Sequence, residues 1–560
     1  MNCRFVVFSL FKKRRLLEAI LYVIKSLAAP ATCSGGRPQP RFRRADFILL
    51  SFAAPTTYNL SLKKLGSETL IYGLSNVLGR MLNFILVVPF LTRIMDEEYG
   101  IVGDLFFWTG LLIALLVFRM DTAVFRFASR PENDARAVYR KTARFVAGVV
   151  VVVLGGLALF AAQLADVLGY PGLTEYVYLV LITIAFDALS AVPLARLRLQ
   201  QRPWRFVAAN LGNVVVNLFL IFLLLSWWAN YNTLFGMRYD SSRMVTYYLI
   251  SIAAASCFRY LFLLVEAWRS NARRSLPELL DTPAEQVGHA PPLRDLLWYS
   301  LPLTLVAVAG IVNALVGPSV IIRLFGGDQA TNELMAGQFN AALKLAVFLN
   351  LAITAYNYAA EPFFFRQAGS DPAKADKQIY ADALRAYGLL AALACAGILL
   401  FLPWLQNFLG ADMRQGLFVL PVLLAANACF GLYSNLSVAY KLTDKTFLGG
   451  GIALIGSVIV IGISVGFIGS WGLYAPAFGM LACYAVMSAL AYGVSRRYFP
   501  VNYPVVRLLI YGVLTVVAVV LGDLFSGADA GAMAGRGAVF LLLCASIAGL
   551  EWKWLRRTFG

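Results

Sequence analysis

Apolar runs close to 20 residues long recur along this chain, and each is long enough to cross about 30 Å of hydrocarbon as a helix. About fourteen of them follow one another, near 70–92, 99–118, 143–163, 175–195, 205–227, 245–267, 296–322, 337–360, 383–405, 417–440, 446–468, 472–494, 504–523 and 536–555. A bilayer admits only helices and closed barrels, because backbone N–H and C=O groups find no partner in lipid. Uninterrupted apolar runs of this length select the helix. The expected fold is therefore an all-α integral membrane protein. The composition agrees: 60% of the 560 residues are hydrophobic, 14% are charged, and mean hydropathy is +0.71. A soluble chain of this size needs far more polar surface.

The net charge of +18 raises the question of nucleic acid. The basic residues answer it, since they sit in short loops between apolar runs, where membrane topology places them. With the segment before the first span on the cytoplasmic side, 29 Lys and Arg of the loops and helix ends beyond residue 60 fall inside. Six fall outside: Arg93, Arg238, Arg243, Arg323, Arg414 and Arg536. This predicts a cell (cytoplasmic) membrane protein with both termini cytoplasmic.

Other chemistry is excluded by what is missing. The one histidine, His289, lies in a polar linker, so a His-ligated metal site is not expected. Cys257, Cys395, Cys429, Cys483 and Cys544 fall singly inside apolar runs, with Cys3 and Cys33 near the N-terminus, and no pair has ligand spacing. No Walker loop is present, so ATP hydrolysis is not expected. No cofactor, metal or catalytic residue is expected.

The organisation reads as a basic N-terminal extension (1–60), a six-helix lobe (61–268), a Pro-rich cytoplasmic linker (269–295), a second six-helix lobe (296–498) and two added helices (499–560). The lobes look like repeats. The first span ends in Leu91-Thr92-Arg93-Ile94 and the seventh in Ile321-Ile322-Arg323-Leu324, and the spans that follow begin near Gly100 and Gly337. A parallel repeat of this kind places a transport site between the halves.

Polar side chains in hydrocarbon are costly and usually face a bundle interior or a water-filled cavity. Asn76, Arg80 and Asn83 form one stripe on the first span, Asn210, Asn213 and Asn217 another on the fifth, and Asn350, Thr354, Asn357 and Glu361 a third on the eighth. Arg80, Arg259 and Lys344 are the cations inside spans; Lys344 is about a third of a turn off the third stripe. Substrate contact is expected at Arg80, Asn76, Asn83, Arg259, Lys344, Asn210, Asn213 and Asn217. Interhelical hydrogen bonding is the competing role for the asparagines, and neutralisation of an arginine the competing role for Asp104 and Asp187. Cations in a cavity imply an anionic substrate such as a diphosphate, and amides suit a sugar. Pro302, Gly310 and Gly317-Pro318 interrupt the seventh span, so a hinge is expected at Pro302 and Gly310.

Leu65-Gly66-Ser67-Glu68-Thr69-Leu70-Ile71-Tyr72-Gly73-Leu74 through Arg80 resembles the start of polysaccharide (O-antigen type) flippases of the multidrug/oligosaccharidyl-lipid/polysaccharide exporter superfamily. Glu98-Tyr99-Gly100, Glu361-Pro362-Phe363-Phe364-Phe365, Tyr433-Ser434-Asn435-Leu436-Ser437 and Lys441-Leu442-Thr443-Asp444-Lys445-Thr446 look like further segments of that family. The resemblance implies two six-helix lobes around a cationic cavity. It implies alternating access that moves a polyprenyl-diphosphate-linked oligosaccharide from the cytoplasmic to the outer leaflet for surface polysaccharide or lipopolysaccharide synthesis. Candidate partners are then the lipid-linked oligosaccharide, a polysaccharide polymerase and glycosyltransferases. Residues 1–60 depart from the family pattern. A lipid II flippase or a multidrug antiporter of the same superfamily stays open as an alternative. A membrane polymerase is a different class and would need catalytic carboxylates on a sizeable external loop.

Loop charge makes the topology testable. Reporter fusions after residues 235 and 285 should read outside and inside respectively, and the same side for both would overturn the topology.

Overall fold

The computed structural model describes residues 78–559 apart from 80, 96, 130–132, 201, 235–236, 273–290, 369–375, 444, 526 and 528. The N-terminal extension, Asn76, Arg80, His289 and most of the linker lie outside the described residues. Thirteen described helices are long and apolar enough to cross a membrane, and a shorter apolar helix, Asn83–Ile94, lies in the first expected span. Apolar length thus located thirteen spans, and the shorter helix falls within the remaining expected one. They are α1 (Asn83–Ile94), α2 (Tyr99–Ala128), α3 (Ala135–Leu159), α4 (Thr174–Leu199), α5 (Pro203–Tyr231), α6 (Ser241–Arg269) and α7 (Leu293–Leu324). The second set is α8 (Gln329–Ala368), α9 (Lys377–Leu400), α10 (Asp412–Leu442), α11 (Phe447–Trp471), α12 (Tyr474–Tyr498), α13 (Val505–Asp523) and α14 (Ala530–Arg557). A two-residue hairpin pairs Thr233–Leu234 with Met237–Arg238 between α5 and α6.

Local sequence explains the irregular places. α1 opens with a π turn over Asn83–Val87, directly before Pro89, whose missing N–H already breaks the regular ladder. α2 turns sharply at Phe118 and Arg119, both left-handed (φ 49° and 50°), where the apolar run meets its first basic residue. The nine residues that follow, Met120–Ala128, bury Met120, Ala123, Val124 and Phe127. The seventh span is one continuous helix that holds both Pro302 and Pro318. Neighbouring helices and hydroxyl side chains can support a proline-weakened ladder in a membrane, and here the Thr304 hydroxyl donates to the Ser300 carbonyl at 2.9 Å.

Two lobes follow from the packing. In the first, α5 packs on α6, α6 on α4, and α4 on α2 and α3. In the second, α7 packs on α11, α11 on α12, α12 on α10, and α10 on α8. The lobes meet where α2 packs against α7 and α8. α7 belongs to both. Leu296 near its start is in the core of the first lobe, whereas Ala309 through Ile322 contribute to the core shared with α8, α10 and α12. Pro302 stands between these two segments. α13 and α14 lie against α9. There the fully buried Glu551 pairs with Arg385 and Arg507 and accepts a hydrogen bond from Tyr511 at 2.7 Å.

Candidate functional site: a cavity between the lobes

A cavity of about 850 Å³ lies between the lobes, walled by α1, α2 and α6 on one side and by α7, α8, α10 and α12 on the other. The volume is toward the upper end of the ~300–1,000 Å³ typical of small-molecule sites. α8 provides the longest wall. Its lining residues run from Asn340 through Leu343, Lys344, Val347, Asn350, Ile353 and Thr354 to Asn357, about 25 Å along the axis. They take up about half of the helix circumference, wider than the narrow stripe read from the sequence. That width brings Lys344 into the wall.

The expected site residues separate. Asn83, Lys344 and Gly310 line the cavity. Arg80 and Asn76 lie outside the described residues, so the structure does not place them. Arg259 is not among the lining residues. It donates to Asp187 at 2.6 Å, from α6 to α4 within the first lobe. Asn210, Asn213 and Asn217 also do not line the cavity. Asn217 accepts a hydrogen bond from Ser251 at 3.0 Å, tying α5 to α6. Arg259 and Asn217 thus bond helix to helix, which for Asn217 is the competing reading of the asparagine stripes. Periodicity shows that residues share a face; it does not show which neighbour the face meets.

Sequence reading missed the aromatic and amide parts of the wall. Tyr99, Phe106, Tyr248, Phe430 and Tyr484 line the cavity with Asn340 and Asn427. One signal was available for Asn340, which stands one turn before Lys344 on α8. Lys344 has no ion pair among the described residues, and its ammonium lies 5.4 Å from the centre of the Phe106 ring across the seam between lobes. No carboxylate is among the described lining residues.

One end of this seam is closed. Call the sparsely charged face the side that carries the loops after α1, α3, α7 and α9. Near it, α2 and α8 approach so closely that a Cβ at Gly100 would overlap the Glu333 carbonyl oxygen. A Cβ at Gly410 would likewise overlap the Thr92 carbonyl. Two arginines cross the seam in related ways. Arg323, at the end of α7, donates to the Leu168 carbonyl at 2.9 Å, in the loop after α3. Arg93, at the end of α1, donates to the Asn407 carbonyl at 2.7 Å, in the loop after α9. These are the arginines of the sequence segments that end the first and seventh spans. Arg323 also holds Asp104 of α2 with both guanidinium nitrogens, at 2.8 and 2.9 Å. Asp104 is fully buried and receives Tyr170 at 2.7 Å and Trp108 at 3.1 Å as well.

A family model described as "Polysaccharide biosynthesis protein" matches residues 65–367. No curated protein matches the chain. Among solved structures, the lipid II flippase MurJ in an inward closed conformation is similar with a TM-score of 0.61 at 12% identity, over 87% of this chain and 99% of that one. An inward-facing multidrug resistance MATE family transporter of the MOP superfamily is similar with a TM-score of 0.54 at 16% identity, over 79% and 95%. The MATE multidrug transporter DinF-BH is similar with a TM-score of 0.56 at 12% identity, over 79% and 96%. At these identities the likeness concerns the fold.

The closed end should depend on Asp104. Removing one member of a buried pair leaves an uncompensated charge, so Asp104→Asn should cost about 3 kcal/mol, read as a lowered melting temperature in detergent. The same variant should speed thiol labelling of a cysteine placed at Val102 from the sparsely charged side. Unchanged labelling would show that the glycine contacts alone close this end.

Proposed function

Because the chain belongs to the polysaccharide biosynthesis protein family, we propose that it is a flippase for a polyprenyl-diphosphate-linked oligosaccharide. It would move this lipid from the cytoplasmic to the outer leaflet for surface polysaccharide or lipopolysaccharide assembly. The observation that supports the reading best is the unpaired Lys344 in an interlobe cavity lined by amides and aromatic rings. A lysine without a counter-ion is a site for an anion brought by the substrate. Asparagines donate and accept, as sugar hydroxyls require. In this reading Arg80 of the first span supplies a second cation and Asn83 a further amide.

A multidrug antiporter is the weaker alternative, since cationic drugs call for carboxylates and the described wall has none. A lipid II flippase shares the fold. The family match supports the oligosaccharide lipid. No step in this mechanism is covalent. The protein binds, closes one face and opens the other.

Alternating access requires the seam near the basic face to close when the sparsely charged face opens. α7 is the element suited to carry that change, because its first turns pack with one lobe and the rest with the shared core. A bend at Pro302 would let both contacts persist. Gly310 lines the cavity and a Cβ there meets nothing within 4 Å, so the hinge test rests on Pro302.

Two results would test this reading in proteoliposomes. With a fluorescent polyprenyl-diphosphate disaccharide as probe, Lys344→Gln and Arg80→Ala should each reduce flipping at least tenfold with normal insertion. Arg80→Lys should recover part, since Lys keeps the charge and loses the paired donors. Normal flipping by both variants would remove the anion site. Pro302→Ala should slow flipping several-fold while probe affinity stays constant; loss of affinity at constant rate would make α7 part of the binding surface instead.

A further inference from the structure

The amides of the cavity wall are of two kinds. Along the lower part of α8, Asn350 donates to Asn427 at 2.6 Å, Asn427 donates to the Leu423 carbonyl at 2.8 Å, and Asn357 donates to Ser434 at 3.1 Å. These bonds join α8 to α10 and satisfy the groups that make them. Asn340 differs. Its residue is 4% exposed, its Nδ2 is buried, and its side chain has no hydrogen-bond partner among the described residues. An orphaned buried amide requires an explanation, and this one belongs to a cavity wall.

The neighbours hold it there. α2 passes so close that a Cβ at Gly103 would lie 2.9 Å from the Asn340 Cγ and 3.0 Å from its Nδ2. The amide is pressed against a glycine that offers no side-chain acceptor. Turning its last torsion, which is broad and two-fold, exchanges oxygen and nitrogen at the wall. Tyr99 and Phe106 of α2 line the cavity with it. Lys344 follows one helical turn later, about 6 Å along the axis, with its ammonium over the Phe106 ring.

We propose that Asn340 and Lys344 form a glycosyl-phosphate subsite, in which Lys344 takes a phosphate oxygen and Asn340 a hydroxyl or acetamido group of the sugar ring beside it. The inference rests on the lipid-linked saccharide reading and adds a residue that senses the sugar. One helical turn is comparable with the reach from a phosphate across a single ring. Phe106 and Tyr99 supply apolar surface for the ring's C–H face. Gly103 is a positioning residue, since its missing side chain allows Asn340 to stay at the wall.

The test compares purified wild type and variants for binding of a short polyprenyl diphosphate and of its hexose and N-acetylhexosamine derivatives. Wild type should bind at least one glycosylated probe tenfold or more tightly than the bare diphosphate. Asn340→Leu and Asn340→Ala should each lose that gain while binding the bare diphosphate within twofold of wild type. Gly103→Ala, which does not touch the ligand, should lose it too. Lys344→Gln should weaken all three probes. Asn340 variants that keep the gain overturn the subsite, as do variants that weaken bare and glycosylated probes alike. A wild type that binds the bare diphosphate with no gain from either sugar also overturns it. A wild type that binds none of the probes overturns the flippase reading itself.

Discussion

Hydrocarbon gives a charge no partner, and that constraint orders the polar groups of this protein. Arg259 is matched by Asp187, Arg323 by Asp104, and Arg385 by Glu551. Each pair links two helices and fixes their register. Lys344 has no such match among the described residues. A cation left unmatched where Arg259, Arg323 and Arg385 are each matched is costly unless something else supplies the negative charge. The cavity is where this happens, and its wall carries no described carboxylate to do it from within.

Two arginines help close one end of the seam. Arg93 ends α1 and Arg323 ends α7, and each reaches a backbone carbonyl in a loop across the seam. Short carbonyl contacts of this kind depend on orientation, so they form only when the lobes are docked. The glycines work with them. Gly100 and Gly410 permit backbone approach that any side chain would prevent. Close glycine packing and exchanged arginines are independent devices, and both act at the same face.

Much of this architecture was legible in the chain. Apolar length located the spans because lipid imposes one length on all of them. Asp187 and Asp104 could be read as counter-ions because a carboxylate in a span has few other uses. Their partners could not be named, since Arg323 lies 219 residues from Asp104 in sequence and nothing local joins them. The asparagines of α5 show the limit of periodicity: they share a face, and Asn217 meets Ser251 rather than the cavity. The extent of α7 was legible as one span, whereas the support for its proline-weakened ladder comes from neighbours that a one-dimensional reading does not contain. Asn340 was missed for a related reason, since its isolation from partners is a property of the packed state.

The seal and the cavity place opposite demands on ion pairing. Glu551 is fully buried with its arginines and tyrosine between α9, α13 and α14, a junction that has no reason to open. Arg323 is 26% exposed at the end of α7 while its partner Asp104 is buried. When such a pair separates at the rim of the bundle, the arginine already meets solvent, so the loss is smaller than for a pair in which both members are fully buried. The pair can therefore specify the closed geometry without making opening prohibitive. Substrate does not drive that exchange merely by binding tightly, since equal affinity for both states shifts nothing. The proposed flippase would require its charged and amide groups to hold the head group in both states, with the lobe contacts near balance. Lys344 would meet the requirement in that proposal, because α8 takes part in the seal and the cavity wall alike.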